Sequence, residues 1–355
     1  MEGPVKGTVE DFDAVVELAD ICFEKDRELG GMRARWPHCY IREPAAMSHW
    51  LLMKDRGRIV SQLLCWPQIL QVNGDSISCA GVSGVATHPD YRGHGLMSTL
   101  LRACIEECQR DHTALMDLGG DRRRYGRYGW EVTGRLCRFR FTARSLDSFP
   151  SETNSFSLDL YRPADLDAVI ALHERTPFGL KRARADHERV FSRLGRPTWV
   201  VRRGNAVQAY LNVSGGAIKT VGEFAGGLDA LFAAFRAWLN EPECSEVVAP
   251  SPWNHPLNRD FFNLAFSWSI VPSRQLKIAD LGALLRGFAN HLAQRWRALD
   301  IAGTRSVCLG IADRPGTLRV TFSKDGVSVD AGGENEQALV LPELEMVRFL
   351  FSPAG

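Results

Sequence analysis

Residues 77–110 read ISCAGVSGVATHPDYRGHGLMSTLLRACIEECQR, and this stretch decides the fold of the first part of the chain. A strand-like apolar run is followed by a short basic loop rich in glycine, and helical spacing then predicts a helix over residues 98–110. Gly93 and Gly95 allow a backbone in which successive N–H groups point into one cavity. Those donors, the Arg92 guanidinium and the positive end of the helix favour an anionic group such as a pyrophosphate. On loop composition alone, a plain tight turn is the simpler interpretation.

Two β-hairpins and a helix are predicted upstream of the loop. Trp50–Met53 and Ile59–Leu64 flank the polar turn KDRGR, and Ile69–Val72 and Ile77–Thr87 flank the turn NGD. The apolar residues of Val9–Phe23 recur at helical spacing, which predicts an amphipathic helix at the start of the chain.

An internal repeat links the first and second parts of the chain. Residues 11–18 (DFDAVVEL) and 165–172 (DLDAVIAL) share five identities and two apolar exchanges in eight positions. Trp50 and Trp199 each open an apolar strand before a charged turn, at a nearly constant offset from the octapeptides. One octapeptide alone could match by chance, because amphipathic helices use few residue types. Two markers in the same order predict a duplicated α+β unit.

A third segment is predicted from residue 272 onwards. Apolar spacing predicts a long helix over Ile278–Leu299, and Asp325-Gly326 predicts a hairpin turn. The remaining predictions are strands and a final helix, over residues 306–312, 318–322, 327–329 and 342–351. A helix packed against a curved antiparallel sheet is the simplest arrangement of these elements.

Composition excludes several classes of protein. The 355 residues carry 43 Lys and Arg against 42 Asp and Glu, and the formal net charge of +1 gives no electrostatic case for binding nucleic acid or acidic membranes. No apolar run approaches the roughly 18 residues that a membrane span needs, and the N-terminus has no signal-peptide pattern. We therefore expect a cytoplasmic protein without nucleic-acid or membrane partners.

The cysteines do not predict a disulfide framework or a metal site. Nine cysteines in a chain of this length leave an odd thiol unpaired. Cys104 and Cys108 share one helix face, but no second Cys or His pair lies nearby in the sequence at zinc spacing. We expect buried, reduced thiols and no metal.

Two motifs resemble one family. The order strand, VATHPDYRGHGLM, helix resembles the acetyl-CoA loop of the GNAT N-acetyltransferases, whose pattern is Arg/Gln-x-x-Gly-x-Gly/Ala. Arg92 and Gly95 match that pattern, whereas Met97 is a large apolar residue, as in the enhanced-intracellular-survival (Eis) branch. Downstream, RRRYGRYGWE resembles that branch's Tyr-Gly-Arg-Phe-Gly-Tyr segment, and Tyr125 matches its proton-donating tyrosine.

The resemblance implies a fold and a domain layout. Eis-type enzymes have two GNAT-like units followed by a sterol-carrier-protein-like domain. The expected fold class is therefore α+β, with tandem GNAT-like mixed-sheet domains before a small α+β domain. The expected boundaries are 1–150 for the catalytic GNAT domain, 151–271 for a second, non-catalytic GNAT-like domain, and 272–355 for the sterol-carrier-protein-like domain.

The resemblance also implies cofactor contacts. Backbone groups of Val85, Ala86 and Thr87 would hold the thioester carbonyl and the pantetheine arm of acetyl-CoA. A further contact would come from Gly120 and Asp121. The pyrophosphate would lie on the loop and first helical turn, formed by Arg92, Gly93, His94, Gly95, Leu96, Met97 and Ser98. His94 has an alternative interpretation, in which its ring simply points to solvent.

The implied reaction is direct attack of a primary amine on acetyl-CoA, with Tyr125 protonating the departing thiolate. Tyr128, three residues later, is the alternative donor. Strand residues 77–89 contain no Asp or Glu, so a general base must come from elsewhere. We expect Asp26 first and Glu28 second. In Eis-type enzymes the chain's own C-terminal carboxylate enters the active site, but the short tail ending at Gly355 gives it little reach.

Other functions remain open at the level of sequence. A non-catalytic acyl-CoA-binding or sensing protein would keep the glycine loop but would have no need of Tyr125. A lipid carrier would need a deep apolar tunnel in residues 272–355. The second copy has VGEFAGG before its helix, without Arg or Gln at loop spacing, so one cofactor site is expected. We expect the second copy to line the substrate cleft or to mediate assembly of a homo-oligomer. We expect the substrate to be a small-molecule or peptide amine.

Overall fold

A computed structural model describes residues 1–24, 31–147, 149, 155–333 and 336–351. Three β-sheets, each covered by helices, make up this part of the chain. Asp26, Glu28 and Gly355 lie outside the described residues. None of the described helices combines the length and apolar character of a membrane span.

The first part of the chain builds most of one sheet and the helices packed against it. Its elements are β1 (Glu2–Lys6), α1 (Phe12–Phe23), α2 (Gly31–Arg35), α3 (Pro44–Met47), β2 (Trp50–Asp55), β3 (Arg58–Val72), β4 (Asp75–Thr87), α4 (Leu96–Arg110), β5 (Leu115–Leu118), α5 (Arg122–Gly126) and β6 (Glu131–Thr133). The predicted helices over 9–23 and 98–110 and both predicted hairpins are confirmed.

The second part builds another sheet around an aromatic core. Its elements are β7 (Leu136–Phe141), α6 (Ala143–Leu146), β8 (Ser157–Leu160), α7 (Leu166–Glu174), β9 (Phe178–Leu180), α8 (Arg184–Phe191), β10 (Thr198–Arg203), β11 (Ala206–Ser214), β12 (Ile218–Gly226), α9 (Leu228–Leu239), β13 (Glu246–Pro252), α10 (Asn258–Leu264) and β14 (Ser267–Val271). Phe139, Phe141, Phe232, Phe235 and Phe261 are fully buried in this core.

The third part forms a small sheet with its own helices. Its elements are β15 (Arg274–Ile278), α11 (Leu281–Gly287), α12 (Ala289–Ala298), β16 (Arg305–Ile311), β17 (Leu318–Phe322), β18 (Val327–Ala331), β19 (Ala338–Leu341) and α13 (Glu343–Phe351). The prediction of one helix over 278–299 is wrong. Ile278 ends a strand that pairs with β5, Asp280 caps α11 through the backbone N–H of Ala283 (2.9 Å), and the helix breaks at Phe288.

The two large sheets share a strand order. The first runs β1-β2-β3-β4-β5-β15-β6, with β9 also on β3, and the second runs β14-β7-β13-β12-β11-β10-β8. The β4–β5 and β12–β13 pairs are parallel and the other pairs in these two sheets are antiparallel. Thus β1-β2-β3-β4-β5 corresponds to β8-β10-β11-β12-β13, and the repeated octapeptides lie at the starts of α1 and α7.

The sheets exchange strands. β7 follows the first part directly but lies in the second sheet between β13 and β14, and β15 opens the third part but lies in the first sheet between β5 and β6. The third sheet, β18-β17-β16-β19, shares a core with the first sheet, in which Ile77 and Leu115 pack in one cluster with Leu284 and Met346. The boundaries at 150 and 271 stay a prediction, and paired strands cross both of them.

Candidate active site

A β-bulge interrupts β4 near its carboxyl end. Gln62 of β3 pairs with Ala86 and Leu64 pairs with Ser83, so Gly84 and Val85 oppose a single residue of β3. A bulge of this kind leaves backbone groups outside the strand ladder. Gly84 has a φ of 58°, and a Cβ atom built on it would lie 2.8 Å from the Trp50 ring. Both the backbone angle and the contact therefore require glycine here.

The bulge opens onto a wedge between β4 and β5. The parallel pairing of these strands ends at Val82 and Leu118. Beyond that point β4 continues to Thr87, whereas β5 ends and the chain turns through Gly120. The carbonyl oxygen of Gly120 accepts a hydrogen bond from Gln275 Nε2 of β15 (2.7 Å), which fixes the far rim of the wedge.

Tyr125 lies beside this rim. The Asp121 carboxylate accepts hydrogen bonds from the N–H groups of Arg123 (2.7 Å) and Arg124 (3.1 Å), and this cap starts the short helix α5. A Cβ atom on Gly120 would lie 2.7 Å from the Tyr125 ring. Burial raises the pKa of the Tyr125 phenol, although the Arg124 charge opposes that shift. The hydroxyl is therefore protonated at neutral pH.

The glycine loop leaves open space at the start of α4. Gly95 caps the helix with a φ of 74° and has no side chain to satisfy the first-turn N–H groups. A Cβ atom on Gly93 or Gly95 would meet no atom within 4 Å, so the space above the loop is open. The exposed Arg92 side chain donates from Nε to the Thr87 carbonyl (3.4 Å), which ties the loop to the end of β4. Helix dipole and guanidinium both favour an anion there.

Tyr128, the alternative proton donor, and His94, a predicted cofactor contact, both make hydrogen bonds within the protein. The Tyr128 hydroxyl hydrogen-bonds Ser98 Oγ (2.5 Å), so it anchors the first turn of α4. His94 Nδ1 lies 3.0 Å from the carbonyl oxygen of Arg92, and its ring therefore holds the loop.

One cavity of about 1950 Å³ brings part of the predicted set together. Val85, Gly120, Asp121 and Tyr125 line it. The other predicted cofactor contacts lie outside its lining, along the end of β4 and the α4 loop, namely Ala86, Thr87, Arg92, Gly93, His94, Gly95, Leu96, Met97 and Ser98. The predicted base Asp26 falls in the undescribed range 25–30.

The cavity also has walls that sequence reasoning missed. Tyr40 is buried near the bulge, and its hydroxyl has no hydrogen-bond partner among the described residues. On the opposite wall, Glu223 Oε2 accepts from Arg182 Nη2 (2.6 Å) and Glu223 Oε1 accepts from the Tyr210 hydroxyl (2.7 Å). Arg193 of the second part also lines the cavity. No local motif marks these side chains: Arg182 and Tyr210 lie 41 and 13 positions before Glu223, and the contact of Arg193 with Arg35 spans 158 positions.

Three thiols meet beneath α4. The sulfur atoms of Cys65, Cys104 and Cys108 lie within 4.8 Å of one another, and Cys65 Sγ is 3.6 Å from Cys108 Sγ. The sequence missed Cys65 because it lies on β3. The expectation that the protein uses no metal stays a prediction.

The family comparison agrees with this geometry. Residues 6–133 match the family model described as an acetyltransferase (GNAT) domain. The chain therefore carries a GNAT acetyltransferase domain and is an enzyme of the acyltransferase class. No curated protein sequence matches the chain.

Solved structures share the fold over almost the whole chain. A probable N-acyltransferase from Enterococcus faecalis superposes with a TM-score of 0.73 at 16% identity, covering 96% of this chain and 87% of that one. A GCN5-related N-acetyltransferase from Kribbella flavida gives 0.70 at 16% identity, covering 98% and 90%. Eis1 from Mycobacterium abscessus gives 0.64 at 14% identity, covering 96% and 87%. The predicted α+β class with GNAT-like mixed sheets is confirmed.

Proposed function

We propose that this protein is an acetyl-CoA-dependent N-acetyltransferase that transfers the acetyl group to a primary amine by direct attack. The observation that carries the proposal is the placement of Tyr125 on the rim of a wedge that opens from a bulged strand. The anion site at the start of α4 lies at the end of the same strand. An acyl-CoA has a pyrophosphate, an extended arm and a thioester in the same order.

Each part of the site has a binding role in this proposal. Free N–H groups in the first turn of α4, together with Arg92, hold the pyrophosphate. Backbone groups from Val85 to Thr87 hold the pantetheine arm and the thioester carbonyl, and Gly120 and Asp121 flank the arm across the wedge.

The reaction needs two proton movements and one exchange of bonds. The neutral amine forms a C–N bond to the acetyl carbon, the C–S bond breaks, and the electron pair leaves with sulfur. Backbone N–H groups at the bulge stabilise the oxyanion that develops on the carbonyl. Tyr125 gives its proton to the thiolate, a role that suits a phenol kept protonated by burial. A base takes the proton that the amine loses, and we assign it to Asp26, with Glu28 as the second choice.

One cofactor site per chain follows from the loops of the two units. In the first unit, residues 88–95 separate β4 from α4. In the second unit, Gly227 alone separates β12 from α9, so no loop is present to hold a pyrophosphate. We assign residues 1–150 to the catalytic GNAT domain, 151–271 to a non-catalytic GNAT-like domain and 272–355 to a sterol-carrier-protein-like domain. The same proposal includes a homo-oligomer in the cytoplasm.

Calorimetry with acetyl-CoA, followed by thiol release with a panel of amines, tests the proposal. We expect one site per chain, and Gly95→Asp should abolish binding because it adds a negative side chain where the anion lies. Gly57→Asp is the matched control, since Gly57 also has a positive φ (79°) and open space around it but lies in the β2–β3 turn. Two equivalent sites, or unchanged affinity in Gly95→Asp, would contradict the assignment. Binding without thiol release from any amine would favour an acyl-CoA sensor instead.

A further inference from the structure

The cavity beside the wedge carries an excess of positive charge. Its described lining includes seven Arg and Lys side chains but four carboxylates. Each carboxylate already accepts from a guanidinium or from helix N–H groups: Asp117 from Arg274, Asp121 from α5, Asp186 from Arg189, and Glu223 from Arg182. Every carboxylate of the described lining therefore has a hydrogen-bond donor, and the net charge of that lining is positive.

Two of these cations form a pair on the wall from the second part. Arg193 and Arg196 lie in the loop between α8 and β10, and neither has a carboxylate partner within the described ranges. Arg193 donates from Nε to the Arg35 carbonyl (2.9 Å), and its guanidinium carbon lies 4.1 Å from the centre of the Trp36 ring. The Arg196 guanidinium lies against Gly222.

Gly222 marks a bulge in the second sheet. Asn212 of β11 pairs with Glu223 and Val213 pairs with Val221, so Gly222 has no partner on that strand. Any side chain at this position would occupy the space that Arg196 fills. Arg196 thus lies over the bulge at Gly222, whereas Arg193 lies over the Trp36 ring.

The two guanidinium groups repel each other. Burial lowers the pKa of Arg193, and the Arg196 charge lowers it further. An anion between them would relieve both effects, because planar guanidinium groups bind carboxylates and phosphates through paired, charge-assisted hydrogen bonds.

The arginine pair lines the same cavity as the acyl end of the proposed site. Cys39, Ser83 and Arg193 line the same cavity. Ser83 directly precedes the bulge residue Gly84. Arg193 therefore faces the same cavity as the strand that would hold the thioester.

We propose that Arg193 and Arg196 bind an anionic group of the acceptor, so that the preferred substrate is a small amine that also carries a carboxylate or a phosphate-type group. This inference rests on the proposed acetyltransferase function. A polyamine or another polycation would add positive charge to a cavity whose carboxylates are already paired, so it is disfavoured.

Acceptors of matched length distinguish the effect of the charge at the far end of the substrate from the effect of its amine. Thiol release would be followed with ω-amino acids of three to six carbons, with alkylamines of the same length, and with the corresponding diamines. These series present an anionic, a neutral and a cationic end on similar amines. Comparison of 4-aminobutanoate with 3-aminopropylphosphonate distinguishes a carboxylate from a phosphate-type group. We expect kcat/KM to fall from the anionic to the neutral to the cationic series.

Arg196→Gln is the decisive variant, because Arg193→Gln also removes the contacts with Arg35 and Trp36. Losing one charge-assisted contact should lower kcat/KM for the anionic acceptor by roughly 10- to 100-fold and leave the alkylamine unchanged. Arg175→Gln is the control, since Arg175 is exposed in the same part of the chain and does not line the cavity.

Calorimetry with the same acceptors in the presence of CoA gives a readout without turnover. Binding of the ω-amino acid that is lost in Arg196→Gln supports the anion site, and it does so even if no amine is acetylated and the proposed function fails. Equal binding of the anionic and cationic series overturns the inference. The same holds if Arg196→Gln leaves the ratio between anionic and neutral acceptors unchanged, whether or not the enzyme is active.

Discussion

Replacing Tyr125 with Phe tests the proposed chemistry with the smallest possible change. The ring would keep its edge contact with Trp130, whose ring centre lies 6.4 Å away, and its packing under Gly120. The change removes one hydroxyl group from a buried ring. Loss of one hydroxyl should change stability by about 1 kcal/mol, so Tm should change by only a few degrees.

The expected loss of rate is much larger than the loss of stability. A positioned general acid contributes roughly 10²–10⁴-fold, which corresponds to about 3–5 kcal/mol of transition-state stabilisation. We expect kcat for thiol release to fall by that factor in Tyr125→Phe while the Kd for acetyl-CoA stays nearly constant. The acid acts only when protonated, so the wild-type rate should fall as pH rises through the raised pKa of this phenol, and the variant should lose that alkaline limb.

Tyr128→Phe is the matched control. It removes a hydroxyl that bonds Ser98 and leaves Tyr125 in place, so we expect a change of less than about tenfold. If Tyr128→Phe is the damaging variant and Tyr125→Phe turns over normally, Tyr125 is not the acid and the reasoning is refuted.

Two further predictions concern the base and the opposite wall. Asp26→Asn should remove or move the acidic limb of the kcat/KM pH profile, and extra residues after Gly355 should leave turnover unchanged; loss of turnover in the extended chain alone would assign the base to the C-terminal carboxylate. Glu223→Gln should destabilise the fold by roughly 3–5 kcal/mol in denaturant titrations, because it leaves the Arg182 charge buried without a partner. Although burial opposes it, Arg182 holds the pKa of Glu223 well below its usual range, so this stabilisation is present above the ordinary carboxyl pKa and is lost as pH falls towards the lowered one. A variant with unchanged stability at neutral pH would contradict the second prediction.

Local patterns predicted the parts of the site that are local in structure. The glycine loop, the α4 helix and the NGD hairpin each depend on a few consecutive residues, and all three form where the sequence places them. Asn73 and Gly74 adopt positive φ angles of 49° and 91°, as an Asn-Gly hairpin turn requires. Tyr125 lies on the cavity because the helix-capping Asp121 is four residues before it.

Long-range pairing was beyond the reach of these patterns. Helical apolar spacing at Ile278 is equally consistent with a buried strand end, and its pairing with Leu115 decided the outcome. The arginine wall around Arg193 comes from a segment with no motif of its own. The position of Arg193 on the cavity depends on its contact with Trp36, which is 157 positions earlier in the chain.

Strands that pair across the predicted boundaries make the sheet of the first part depend on the rest of the chain. A fragment ending at residue 150 would lack β15, so β5 and β6 would lose the strand that joins them, and β7 would project without either neighbour. Unpaired edges of this kind promote aggregation. The same fragment would lose Gln275, which holds the carbonyl of Gly120 on the rim of the wedge. The sequence boundary of the GNAT domain is therefore not a boundary of cooperative folding, and the geometry around Tyr125 is built by residues on both sides of it.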